Sequence, residues 1–388
     1  MERRSFIRIA GGGAIFAATG GLVACAGSMP AEAVLAWQGP AGDAGDVRRW
    51  ILAYAILAPH SHNLQSWLVD LSVPGEILLR CDPSRLLPET DPFSRQIMMS
   101  HGTFLELLDI AARERGQRAD IALFPEGVFA LDKIDQRPVA RIRLTSDPTV
   151  GKDPLFAQIL KRRTNRSLYE LDRAVPDTAW QDMAAAAAGS SALRFGHVDA
   201  RQAGVLQRHR DIAAQAWRIE LETPRTILES YKVLRVGADE IAQHRDGLSL
   251  LDPTVIWLDR FGLFDRSKAP GPDDFATTSQ IKDFAAKIAS TPAFLWMVTQ
   301  GNGRVTQVDA GRAYARVQLA ATAHGVAMQP LQQALQEYPE QAGPYAAIRR
   351  LLNVPEPAQT VQMWARVGYA PPVEPAPRRG VDAHIVSA

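Results

Sequence analysis

Cysteine is nearly absent: Cys25 and Cys81 are the only two in 388 residues. That excludes a disulfide framework and leaves too few thiolates for a zinc ribbon. An excess of one charge is also missing, with 43 Lys and Arg against 42 Asp and Glu. No global field exists to hold nucleic acid or an anionic membrane, so no nucleic-acid partner is expected. The chain lacks a G-x-S-x-G elbow and a P-loop, which argues against a hydrolase or NTPase. Hydrophobic residues at 46% and charged residues at 22% are ordinary for a folded protein and exclude wholesale disorder.

What is present begins with an address. Arg3-Arg4-Ser5-Phe6-Ile7 is a twin-arginine pair followed by apolar residues, and no further charge occurs between Arg8 and Glu32. The stretch between is mildly apolar and rich in glycine, a poor bilayer span, so residues 1–33 resemble a Tat export signal. Gly11-Gly12-Gly13 has no preceding strand and is not a dinucleotide loop. Leu22-Val23-Ala24-Cys25 resembles a lipobox, which would make Cys25 a lipidated N-terminus; an ordinary cut after Ala26 or Ala33 competes. The expectation is export to the periplasm, either soluble or anchored as a lipoprotein. Lipid on Cys25 would leave Cys81 without a partner.

The remainder divides at the turn-rich stretch Asp147–Lys152, into residues 34–150 and 151–388. Residues 102–116 and 311–325 align at one offset, with Gly102/Gly311, Ala111/Ala320, Ala112/Ala321 and Gly116/Gly325 identical. Both have a helical period and end at a glycine suited to a C-cap. A helix is expected over Asp46–Ala58, strands over Trp67–Leu71, Ile77–Cys81 and Phe294–Val298, and a helical run from Pro154 to the basic segment that follows. About 200–290 reads as a helix-rich insertion with no counterpart in the first half. The mixture points to an α+β protein rather than a doubly wound parallel sheet.

Three short constellations carry chemistry. Pro59-His60-Ser61-His62-Asn63-Leu64-Gln65-Ser66-Trp67 is a loop dense in hydrogen-bonding groups. Arg162-Arg163-Thr164-Asn165-Arg166 puts three guanidinium forks and a hydroxyl within five residues, a phosphate cradle. Ala376-Pro377-Arg378-Arg379 lies close to the C-terminus. Each has a plainer reading: a solvated helix end, a metal pair at His60 and His62 that lacks a third ligand, and a frayed tail.

Together and in this order they resemble the nitroreductase-like flavoproteins, and most of all the Acg-like branch, in which two such halves are fused. The loop looks like that family's P-S-S-x-N-x-Q-P-W, with His60 for the first serine and Ser66 for the proline. The basic segment looks like R-R-S-x-R, with Thr164 for serine. Gly325–Leu331 and the terminal P-R-R also resemble family segments.

The resemblance implies FMN. Arg162, Arg163, Thr164 and Arg166 would hold its phosphate, with Arg378 and Arg379 closing over it. Pro59, His60, Ser61 and Asn63 would edge the isoalloxazine from the other half, braced by Gln65, and Pro330, Leu331 and Gln332 would pass near its reactive edge. No catalytic acid, base or metal ligand is assigned. One composite site per chain, and a monomer, are expected.

Three functions follow from this reading. The first is an FMN-dependent oxidoreductase that reduces nitroaromatic- or quinone-like molecules with NAD(P)H. The second is a flavin-sequestering protein without nicotinamide turnover. The third is a reductase fed by a membrane donor, which lipidation at Cys25 would suit. The insertion would either lie over the flavin as a lid or pack against its own half.

Overall fold

The computed structural model describes residues 28–40, 45–188 and 193–386. The twin-arginine stretch and the lipobox at Cys25 lie outside them. Two antiparallel four-stranded sheets each carry one 20-residue helix, and those two helices cross at the centre of the molecule.

The chain enters through a short helix, α1 (Ala31–Val34), whose Ala33 is buried. Helix α2 (Val47–Ala55) follows, its first turn capped by the Asp46 carboxylate accepting from the Arg48 N–H. The first sheet contains β1 (Trp67–Asp70), β2 (Glu76–Cys81), β3 (Gln117–Leu123) and β4 (Pro138–Ser146) in the order β1-β2-β4-β3. β1 and β2 form a hairpin whose turn needs the positive φ of Gly75. In β2, Ile77, Leu79 and Cys81 face the core while Glu76, Leu78 and Arg80 are partly exposed, the alternation of a strand covered on one side. Between β2 and β3 runs α3 (Arg95–Glu114).

The second half repeats this plan. After α4 (Asp177–Ala187) come β5 (Leu193–Val198), β8 (Ala293–Gln300), β9 (Ala327–Pro330) and β10 (Gln359–Gly368), in the order β5-β8-β10-β9, with α10 (Arg304–Ala323) between β8 and β9. Strand for strand, and in the place of its long helix, the order matches the first sheet. The insertion between β5 and β8 holds α5 (Ala203–Glu222), α6 (Pro224–Lys232), α7 (Gly237–His244), α8 (Pro253–Arg260) and α9 (Phe275–Ala289). A two-stranded parallel ribbon, β6 (Leu234–Val236) with β7 (Leu248–Leu250), lies among them. Helix α11 (Ala342–Leu351) precedes β10.

The two long helices approach too closely for a side chain at their crossing. A Cβ on Gly102 would overlap the Val308 carbonyl oxygen, and one on Gly311 would overlap the Met99 carbonyl oxygen. Each glycine meets the residue three positions before the other, so the contact has twofold character. The cores interlock as well: Val308 and Leu319 of α10 pack in the first half's core, and Met99 of α3 packs in the second's. The buried Glu106 of α3 accepts from Arg312 and Arg316 of α10, each at 2.8 Å.

One expected element differs. The run from Pro154 is a five-residue 3-10 helix ending at Gln158, and Arg162–Arg166 is irregular rather than the end of a helix. Asn165 explains the break. Its side-chain oxygen accepts from the Ser167 N–H at 2.9 Å and its own N–H donates to the Met328 carbonyl at 3.0 Å, so it bonds to a turn and a strand instead of a helix.

Candidate functional site

The loop from Pro59 to Gln65 lies between α2 and β1, and three of its residues have left-handed backbone: His62 (φ 47°), Asn63 (φ 54°) and Gln65 (φ 53°). Such conformations cost about 1–3 kcal/mol each and persist only where the surroundings over-determine them. Here they do. The Thr103 hydroxyl donates to the Pro59 carbonyl at 2.7 Å, and the Ser61 N–H donates to Ser100 Oγ at 3.1 Å. His60 Nε2 and Ser66 Oγ are 2.7 Å apart, which uses the two positions where this loop departs from the family pattern as one pair. Asn63 Nδ2 donates to the Pro377 carbonyl at 3.1 Å. Gln65 donates to the Arg245 carbonyl at 2.9 Å and accepts from the Arg379 N–H at 3.0 Å.

Arginines of the second half converge on this loop. Arg162, almost wholly buried, donates to the Leu57 carbonyl at 2.9 Å. Arg378, equally buried, donates to the Ala58 carbonyl at 3.0 Å and to Asn63 Oδ1. Arg379 donates through its guanidinium to the Gln65 carbonyl at 2.5 Å. Arg163, Arg162 and Arg378 all lie over the indole of Trp37, with guanidinium carbons 4.5, 5.3 and 5.4 Å from its ring centre. Nothing in the sequence pattern marks Trp37, because an isolated tryptophan beyond the export signal reads as a core residue.

The electrostatics separate these arginines from structural ones. Arg312 and Arg316 have carboxylate partners in Glu106, Asp109 and Asp153. Arg304, also buried, lacks one but spends every guanidinium nitrogen on the Ala130, Leu131 and Phe93 carbonyls and Gln307. Arg162, Arg378 and Arg379 have no carboxylate in ion-pair range among the described residues, and each keeps a buried Nε without a partner. Burial pushes Arg162 and Arg379 down to about 10 and Arg378 well below the ordinary arginine range. The charges of Arg162 and Arg163 add to the effect on Arg378. Buried, unneutralised cations are costly, and an anion among them would offset that cost.

Arg166 stands apart from that cluster. It is exposed on its surface, yet surrounding protein still depresses it, and Tyr169 and Tyr314 act on it. Its charge reaches His62, which burial first and Arg166 second push down to about 4. His62 Nε2 also lies 3.5 Å from Ser230 Oγ of α6.

Of the other expected residues, Thr164 is half-buried between Arg163 and Asn165. Pro330 ends β9, Leu331 is buried with its N–H on the Trp364 carbonyl, and Gln332 donates to Met363 Sδ at 3.0 Å with its own side-chain oxygen buried and unpartnered. Helix α3 joins this turn to the loop: Arg95 donates to the Leu335 carbonyl at 2.7 Å while Ser100, one turn on, holds Ser61. The insertion divides its contacts. α5 packs on the second half, with His209 under Trp364, whereas the Gly247 N–H donates to the Asn63 carbonyl and Arg245 receives Gln65.

A family model described as the nitroreductase family matches residues 159–369, more than half of the chain. The chain belongs to the nitroreductase family. Two Mycobacterium tuberculosis proteins, from strains CDC 1551 and H37Rv, carry the provisional name NAD(P)H nitroreductase; each is 28% identical over 356 residues, which is 85% of this chain and 88% of theirs. Solved structures of the family include the FMN-dependent nitroreductase NfnB of Mycobacterium smegmatis with NADPH, at 18% identity, TM-score 0.37, and 58% and 94% of the two chains. An FMN- and NADPH-dependent NfnB from a Sphigopyxis strain stands at 19% identity, TM-score 0.37, and 60% and 97%. The family match covers the arginine segment and the second sheet, while the His60–Gln65 loop lies before it.

Proposed function

We propose that this protein is an FMN-dependent oxidoreductase that reduces nitroaromatic- or quinone-like small molecules, with a reduced nicotinamide as donor. The observation that carries the reading is the set of buried guanidinium groups without carboxylates, set against a strained loop from the other half. Arg162, Arg163, Thr164, Arg378 and Arg379 would hold the phosphate of FMN, and the orphaned Nε atoms are free donors for it. Pro59, His60, Ser61 and Asn63 would border the ring, with Gln65 fastening their loop to both Arg379 and Arg245, and Pro330, Leu331 and Gln332 would pass beside it. Arg166, whose charge acts on His62 of the ring-bordering loop, would also hold the phosphate. Bound FMN would supply the hydride chemistry, and the chain supplies binding, orientation and the exclusion of water.

The absorbance spectrum of the purified protein tests this directly. Bands near ~370 and ~450 nm are expected, with NADPH oxidation that depends on a nitroaromatic acceptor. A colourless protein that also takes up no added FMN overturns the reading. One observation favours sequestration instead: the insertion bonds to the ring-bordering loop at Asn63 and Gln65, which would restrict access. Bound FMN that neither nicotinamide reduces would decide for that alternative.

Export by the Tat route is part of the same proposal, as is a periplasmic location with or without lipid on Cys25. Ala33 is buried and its carbonyl accepts from the Arg378 N–H at 2.8 Å, which supports a cut at or near Cys25 over one after Ala33. Mass spectrometry of the mature N-terminus checks it.

A further inference from the structure

We propose that the entering segment, from Ala31 to Gln38 with Trp37 near its end, is a clasp that closes the anion-binding end of the site and governs how long the cofactor stays. This rests on the FMN reading above. Trp37 is only 8% exposed, yet its ring is packed by three cations from two distant stretches of chain, residues 162–163 and 378. Apolar packing alone would not gather like charges on one indole. The negative face of the ring offsets part of their repulsion, and such contacts strengthen when desolvated. Two further bonds fasten the segment down. Trp37 Nε1 donates to the Ala376 carbonyl at 2.8 Å, and the Ala33 carbonyl accepts from the Arg378 N–H at 2.8 Å. The segment thus ties Arg378 to the Arg162–Arg163 pair. An anion gripped by these groups cannot leave until the guanidinium groups part, and Trp37 holds them together. The clasp therefore acts on release more than on uptake.

The test is FMN release from the full chain, followed as recovery of flavin fluorescence after dilution, in the wild type, Trp37→Leu and Trp37→Phe. Leu keeps apolar bulk without a π face, and Phe keeps the face without the indole N–H. Release about tenfold faster in Trp37→Leu, with Trp37→Phe between it and the wild type, is the expected result. Equal release in Leu and Phe, fast or slow, reduces Trp37 to packing and overturns the proposal. Should Trp37→Leu not fold by circular dichroism, limited proteolysis of the wild type replaces it. FMN should slow cleavage before Gly39, and an unchanged rate overturns the clasp. A wild type that takes up no FMN is a different outcome, because it removes the functional reading itself.

Discussion

Arg166 and Arg312 have the same side chain and opposite fates. Arg312 is anchored by Glu106 and Asp109 across the helix crossing, whereas Arg166 has no carboxylate in ion-pair range among the described residues. Replacing Arg166 by Gln should consequently leave the thermal midpoint nearly unchanged and weaken FMN binding by about 10- to 100-fold, the worth of a hydrogen bond to a charged group. Equilibrium titration with FMN and a melting curve measure both. His209 makes the converse case. The Trp364 indole donates to its Nδ1 at 3.1 Å, the ring stacks on Phe294 and Trp296, and burial pushes it down to about 4. It must stay neutral in the folded state. Its contribution is complete above about pH 6.5 and is lost as pH falls toward 4. His209→Gln, whose side-chain oxygen can still accept from Trp364, should reduce the dependence of stability on pH in that window by about one proton, or ~1.4 kcal/mol per pH unit. Denaturant titrations at several pH values give that slope.

Among the elements, α3 and α10 determine the most. All of α3 from Arg95 to Ala112 is buried, so the face that carries Leu105, Leu108 and Ala112 is only one of several covered faces. Periodicity detects a helix but does not reveal that it is wrapped on every side. The paired glycines do. Gly102→Ala should destabilise the protein by about 3 kcal/mol or more, since the added methyl strikes backbone on the opposite helix that cannot move aside. Gly343→Ala in α11, where a Cβ meets nothing within 4 Å, should be neutral or stabilising by about 0.5–1 kcal/mol. A pair of chemical denaturation curves distinguishes overlap from a general loss of glycine flexibility. The basic segment shows the opposite limit of local reading. Its composition suits a helix end, but Asn165 prefers the β9 backbone that tertiary packing places beside it.

For the molecule as a whole, buried neutral histidines outweigh buried neutral acids. His101 and His209 are pushed down to about 4 and His384 to about 3 by burial, and His60 and His62 are depressed as well. Each opposes folding as pH drops below about 6.5. Burial raises Asp91 to about 6 and Glu220 to about 7, and these two favour the folded state in acid, because it retains protons that the unfolded chain releases above about pH 4. His197 is also lowered, and Asp109, Glu229 and Asp309 are also raised, but by less; with five strongly depressed histidines against two strongly raised acids, the thermal midpoint should fall as pH drops from 6.5 to 4. A scan that stays flat across that window would show that these histidines do not remain neutral in the folded state.

Local chemistry alone determined the strands with their apolar alternation, the glycine-bounded helices, the paired repeat at Gly102 and Gly311, and the three constellations dense in polar or basic groups, since each segment is written in neighbouring residues. Distance along the chain hid the rest. Trp37 and Arg378 are 341 positions apart, and no pattern in either segment announces that an indole will face that guanidinium. The same holds for Arg245, which reaches the loop from an insertion 180 residues later. Which arginines receive a carboxylate and which do not was decided only when the two halves closed on each other, because burial and charge pairing belong to the assembled interior rather than to any one stretch of it.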